Sequence, residues 1–209
     1  MAERERATAL RRRGSQRRAD IQQAALSLFT ERGYDATSMR EIAEHIGITK
    51  AALYYHFDSK EAIILSLFQE NMHELDDLLD WAERQPLTPE LCSDFLGRWI
   101  AHGARQGLRT MRFAVANHAA LRTVLPLRQG GPLERVDRAA QLLLGPGAPL
   151  HDRLRVRMAL LSVPNAVLAA RGTEATEDDI LAIAAQEATL LVGNLFPAPR
   201  LPVPEQAPE

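Results

Sequence analysis

Side chains that donate hydrogen bonds or carry positive charge concentrate between Thr37 and Lys60: Thr37, Ser38, Arg40, Thr49, Lys50, Tyr54, Tyr55, His56 and Lys60. Their chemistry is recognition, since hydroxyls, ammonium and guanidinium groups and a ring N–H are the usual partners of phosphate oxygens and base edges. Catalytic patterns are missing. The six histidines stand at 45, 56, 73, 102, 118 and 151 with no H-x-x-x-H or HExxH spacing, and there is no G-x-S-x-G, Walker loop or dinucleotide fingerprint. Cys92 is the one cysteine, so neither an intrachain disulfide nor a cysteine-based zinc site is expected, and no cofactor or metal is implied. The chain therefore reads as a non-enzyme whose partner is double-stranded DNA.

Two short helices must position that set. Ser38 and Glu41 have the S-x-x-E spacing of a capping box, which starts a helix at Met39. Ile42, Ala43 and Ile46 fall on one face of it, and Gly47 can take the left-handed conformation that ends a helix. Thr49 caps a second helix two residues on. So tight a turn demands a steep crossing, with Ala43 as the small contact and Ile42, Ile46, Ile48 and Leu53 buried. That is a helix-turn-helix, whose second helix enters the major groove. Leu53 and Phe57 point inward, which leaves Thr49, Lys50, Tyr54, Tyr55 and His56 at or near the outside. Arg40, Lys50 and Tyr54 are the candidates for reaching bases. Thr37 and Ser38 at one helix start, and Thr49 and Lys50 at the other, are candidates for phosphate.

The run G-I-T-K-A-A-L-Y-Y-H-F-D-S-K-E resembles the signature of the tetracycline-repressor (TetR) family. T-S-M-R-E-I-A resembles the family's first helix of the pair, and A-A-L-S-L-F-T-E-R-G-Y-D-A-T the helix before it. The likeness spans Arg17 to about Leu67. It implies an all-α homodimer in which Tyr54, Tyr55, His56 and Lys60 grip the DNA backbone. It also implies a regulator, usually a repressor, that binds a palindromic operator and is released by a small molecule. The competing reading is a helical ligand-binding or enzymatic protein whose N-terminal trihelix serves protein contacts.

Charge distribution agrees with that assignment. The 209 residues carry a formal net charge of −2, but residues 1–60 have net +3 and residues 61–209 net −5. The basic end is the one with the helix-turn-helix, as phosphate attraction requires. Hydrophobic content of 46% suits a globular core. With no signal-peptide core and no run of 18 apolar residues, the expected setting is the cytoplasm, without a membrane.

Residues 1–16 read as a disordered basic arm bearing Arg4, Arg6, Arg11, Arg12 and Arg13. A first helix is expected from about Gln16 to Arg32, with Ile21, Ala24, Ala25, Leu28 and Phe29 buried and Gly33 as its stop. The DNA-binding domain spans 17–77. A fourth helix, capped by Asp58 with Glu61, links onward to about Glu83. An effector-binding and dimerisation domain covers 84–196, with helices at about 89–106 and 133–144 and an interrupted one across 107–125. Loops are expected at 126–132 and 145–149, and a Pro-rich disordered tail at 197–209.

Trp99, His102, Met111, Phe113, Val115, Asn117, His118, Leu142 and Leu143 are the candidate walls of an effector pocket, which favours a largely hydrophobic ligand. Arg105, Arg109 and Arg112 form a stripe that reads as a solvated face. Met158–Ala170 contains no charged residue and Ile180–Phe196 only Glu187. Helices this apolar need cover on two sides. The resemblance assigns the second side to another copy, with Leu161, Val167, Ile180, Ala184, Leu191 and Leu195 as the candidate dimer interface.

Overall fold

The computed structural model describes residues 2–103, 108–117 and 131–196, with side chains from residue 14 onward apart from 109, 115 and 116. Regular structure among the described residues is all-helical. Its order is α1 (Ala2–Arg32), α2 (Met39–His45), α3 (Lys50–His56), α4 (Lys60–Glu83), α5 (Pro89–His102), α6 (Leu108–Ala116), α7 (Pro132–Leu144), α8 (Leu150–Leu160), α9 (Ser162–Ala169) and α10 (Glu177–Val192). The expected loop at 126–130 and tail at 197–209 lie outside the described residues. No described helix is long and apolar enough to cross a membrane. The chain forms two compact units that divide within α4, between Gln69 and Glu70, with Ala116 and Asn117 grouped with the first.

The first unit is built on α1, whose Ile21, Ala25, Leu28 and Phe29 are at most 1% exposed. Phe29 meets Tyr34 edge to face at 5.2 Å. A polar pair inside is satisfied, with Gln22 Nε2 donating to Ser66 Oγ at 2.9 Å. Helix α1 differs from expectation at its start, running from Ala2 rather than from about Gln16. The reason is local: A-E-R-E-R-A-T-A-L-R-R-R consists almost wholly of strong helix formers, and charge alone does not prevent a helix. The start of α4 also differs. Ser59 Oγ, not Asp58, accepts from the first-turn N–H of Ala62 at 3.2 Å. With Ser59 as the cap, Ala62 rather than Glu61 takes the third helical position, and the Glu61 carboxylate accepts from the Tyr34 hydroxyl.

The second unit buries Leu75 and Leu79 of α4, Phe95, Leu96, Trp99 and Ile100 of α5, Val136, Ala139 and Leu143 of α7, Val156 and Leu160 of α8, Val163 and Val167 of α9, and Ile180, Ala184 and Ala188 of α10 in one cluster. Thr88 caps α5, and Thr176 with Asp179 forms a capping box on α10. The apolar stretch at 158–170 forms two helices that break at Leu161 (φ −91°, ψ 5°). Pro164 accounts for the break, because it has no N–H to donate to Leu160 and its ring crowds that carbonyl. The freed carbonyl is not wasted. Trp99 Nε1 donates to Leu160 O at 2.9 Å in the buried core. Two arginines of α7 fasten it to α4: Arg135 Nε donates to Met72 O at 3.2 Å and its Nη2 pairs with Asp76, while Arg138 Nη2 reaches Asp80 and Glu83 at 2.6 and 2.7 Å.

Candidate nucleic-acid interface

Helices α2 and α3 are set by short-range bonds. Ser38 Oγ accepts from Glu41 N at 3.2 Å, and the Glu41 carboxylate receives Ser38 N at 2.7 Å, which closes the expected capping box. The Ser38 hydroxyl, donating to that carboxylate at 2.7 Å, and the Ser38 N–H hold the Glu41 carboxyl below the usual carboxylate range. Gly47 takes φ 67° at the turn, where a side chain would be strained. Ile48 N returns to Ala43 O at 3.0 Å. Thr49 Oγ1 then caps α3 by accepting from Ala52 N at 3.1 Å. Ile42, Ala43, Leu53 and Phe57 are buried as expected. Ile46 and Ile48 are only half-buried.

The outward face of α3 carries Thr49, Lys50, Tyr54 and Tyr55, all exposed. Tyr55 is 86% exposed and Tyr54 42%. Lys50 Nζ lies 5.6 Å from the centroid of the Tyr54 ring. The His56 ring stands edge to face against Tyr55 at 5.3 Å and is half-buried. Ala51 and Ala52 are exposed on the same helix, and sequence reasoning passed over them. Arg40 of α2 is exposed and pairs with Glu44, one turn on, at 2.7 Å. Arg40, Lys50 and Tyr54 line one shallow depression together with Asp58 and Lys60.

Several of the candidate DNA contacts also have structural duties. Thr37 is 1% exposed, and its hydroxyl donates to Gly33 O at 2.9 Å. Its hydroxyl staples the loop after α1, while the residue lines the same depression as Arg40, Lys50 and Tyr54. The loop must turn back over Phe29, and the buried hydroxyl satisfies a carbonyl there. Lys60 Nζ donates to Tyr34 O at 2.7 Å and lies 4.4 Å from that ring's centroid. Ser38 is exposed, but its hydroxyl is engaged in the capping box. Sequence reasoning also missed the Tyr34 and Glu61 buttress. There the Tyr34 hydroxyl pulls the Glu61 carboxyl below the usual range, while burial, chiefly, and Glu61 push the phenol up.

The expected pocket walls do not all share one unit: Asn117 goes with the first, and Trp99, His102, Met111, Phe113, Leu142 and Leu143 with the second. Trp99, Phe113 and Leu143 are core side chains at 7%, 2% and 3% exposure. Trp99 is spent on the Leu160 carbonyl. His102 is held at Asn71 Oδ1 (2.5 Å) and Glu74 Oε2 (3.1 Å). Met111, Asn117 and Leu142 are half-buried. His118, Arg105 and the side chains of Val115 and Arg109 lie outside the described residues, and Arg112 is exposed. Among the expected dimer contacts, Val167, Ile180 and Ala184 are 4%, 3% and 0% exposed within a single chain. They are consumed by this chain's own core and cannot meet a partner, which corrects that expectation. Leu161, Leu191 and Leu195 are half-buried. The large apolar side chains left outside on these helices are Leu150, Leu154 and Met158 of α8, Leu168 of α9, and Ile183 and Leu190 of α10.

An N-terminal helix-turn-helix head followed by a larger helical unit defines the class: a helical protein with a DNA-binding head. Residues 21–67 match the family described as bacterial regulatory proteins, tetR family. The likeness to that family is carried by this segment of the head. IcaR of Staphylococcus aureus strain Newman, a negative transcriptional regulator of the biofilm operon icaADBC, is 56% identical over 39 residues, which is 19% of this chain and 21% of that protein. The transcriptional repressor KstR2 of Rhodococcus jostii strain RHA1 is 41% identical over 61 residues, covering 29% and 30%. The chain thus spans only about a fifth to a third of the length of these relatives. The fatty acid degradation regulator FadR of Bacillus halodurans shares the fold over 85% of this chain and 95% of its own, with a TM-score of 0.59 and 20% identity.

Proposed function

We propose that the chain is a transcriptional repressor that binds an inverted-repeat operator as a homodimer and leaves it when a small effector binds. The observation that carries the reading is the outer face of α3. A seven-residue helix that buries only Leu53 exposes two tyrosines, a lysine and its capping threonine side by side. Solvated aromatics beside a cation suit a surface that a polyanion covers, with the rings packing on sugar and base while the ammonium neutralises phosphate. Repression, rather than activation, is supported by the printed roles of IcaR and KstR2.

A two-fold dimer would place two α3 helices in successive major grooves, about 34–36 Å apart or a multiple of that. We assign its contact to the outer faces of α9 and α10, where Leu168, Ile183 and Leu190 are 58%, 53% and 66% exposed. Ile183 and Leu190 stand seven residues apart and so share one face. Effector control rests on the second unit, whose apolar interior holds a few buried polar groups, Thr110, Ser162 and Asn71, the last bonded to His102. That composition suits a largely hydrophobic ligand with one or two hydrogen-bonding groups. The effector and the operator must then weaken each other reciprocally.

The test is a mobility-shift titration of full-length protein against DNA flanking its own coding region, at two salt concentrations. Replacing Lys50, Tyr54 and Tyr55 together by Ala leaves the buried packing intact and should cost roughly a hundredfold in operator affinity, each missing base-edge hydrogen bond being worth about 1–3 kcal/mol. Unchanged affinity in that variant would remove α3 from the interface.

A further inference from the structure

Helix α3 is too short to orient itself. An isolated helix needs on the order of 12–15 residues to be even marginally stable, and α3 has seven. Its direction is therefore set by what grips its ends. The first end is held by the Thr49 cap and the Gly47 turn from α2. At the second end the chain leaves in an extended conformation at Phe57 (φ −147°, ψ 126°). There a group from α1 closes over it: Arg18 Nη1 donates to the His56 carbonyl at 3.2 Å, across 38 residues of chain. The same guanidinium lies over the Phe57 ring, 4.2 Å from its centroid. A cation at a helix C-terminus is favoured by the exposed carbonyls, and the planar guanidinium can stack and donate at once, which an ammonium cannot.

We propose that Arg18 is a positioning residue for operator recognition, acting through the C-terminal end of α3 without itself being a phosphate contact. The inference rests on the reading of α3 as the recognition helix. Its geometric force is simple. Seven residues span about 10 Å, so a tilt of only about 6° about the held N-terminal end displaces the far end by about 1 Å. Base-edge hydrogen bonds tolerate far less than that, whereas phosphate contacts through long side chains adapt. Loss of Arg18 should therefore damage specific binding and spare non-specific binding.

The experiment compares wild-type full-length protein with Arg18→Met, Arg18→Lys and Phe57→Leu. It measures affinity for the operator and for unrelated duplex, the salt dependence of each, and helix content and thermal unfolding. For Arg18→Met the expected result is a roughly tenfold loss of operator affinity, non-specific affinity within about twofold, and an unchanged salt slope. Arg18→Lys, which keeps a donor for His56 O but not the stacked plane, should recover part of the loss, and Phe57→Leu should show a smaller loss of the same kind. A fall in the salt slope of about 0.9, shared by both DNAs, would make Arg18 a phosphate contact and overturn the proposal. So would unchanged operator affinity, or equal loss on both DNAs together with lost helix content. Wild-type protein with no sequence preference would overturn the recognition-helix reading itself, whereas a wild-type preference with an unaltered Arg18→Met variant overturns only the positioning role.

Discussion

Replacing Trp99 by Phe should cost far more than a change of one aromatic for another, because its Nε1–H is the partner of a carbonyl that the chain cannot otherwise satisfy. Leu160 O is buried and would pair with residue 164 in a continuous helix, but Pro164 has no N–H to offer. Trp99→Phe leaves that carbonyl unmet, at about 1–3 kcal/mol. The smaller ring also opens a void beside Phe95, and at about 24 cal/mol per Å³ a gap of about 35 Å³ adds close to 1 kcal/mol. The total of about 2–4 kcal/mol corresponds to a fall in Tm of about 5–12 °C in a chain of this size. Pro164→Ala by itself should be near neutral, since Leu160 O already has a donor. Combined with Trp99→Phe it restores a backbone donor and should recover about 1–2 kcal/mol. Urea unfolding followed by far-ultraviolet circular dichroism reads all four corners of the cycle. A Trp99→Phe variant within about 0.5 kcal/mol of wild type, or a double variant no more stable than Trp99→Phe, would refute the idea that Trp99 compensates for Pro164.

Leu190→Glu, at an exposed position on α10, should leave the monomer folded yet give monomers and weak operator binding. Sedimentation velocity checks it, and an intact dimer would move the interface off this face. Arg138→Met should reduce stability by no more than about 1 kcal/mol at low salt and by less at 1 M salt, because the Asp80 and Glu83 partners are largely exposed and screened. Equal loss at both salt concentrations would mean that its packing, not its charge, matters. The lowered Glu61 carboxyl contributes stability that is fully present above its ordinary value of 4.5 and is lost as pH falls through the lower folded value. Glu61→Gln should accordingly flatten the decline in Tm between about pH 5 and pH 3 without changing the trend above pH 6.

The helix-turn-helix was legible in the amino-acid sequence because its determinants act over three or four residues. Ser38 with Glu41, Thr49 with Ala52, and Gly47 at positive φ each need only their immediate neighbours. Local chemistry of this kind survives whatever the rest of the chain does. The alternation of buried Leu53 and Phe57 with exposed Tyr54 and Tyr55 follows from the helical period in the same way. What tertiary structure decided was which of two equivalent demands each side chain meets. Thr37 and Lys60 have the chemistry of DNA contacts, and Gly33 O and Tyr34 O, which lie within reach, each take one hydrogen bond from them. Ser59 rather than Asp58 caps α4, and Glu61 accepts from a tyrosine 27 residues away. Trp99 has the character of a pocket wall until a proline 65 residues later leaves a carbonyl for it to satisfy. On α9 and α10 both faces are apolar, so periodicity could not say which face meets the chain's own core. Packing against α5 and α8 assigned Val167, Ile180 and Ala184 inward and left Leu168, Ile183 and Leu190 outside. Long-range contacts carry no signature in local spacing, because a buried position and an interface position call for the same apolar residue types.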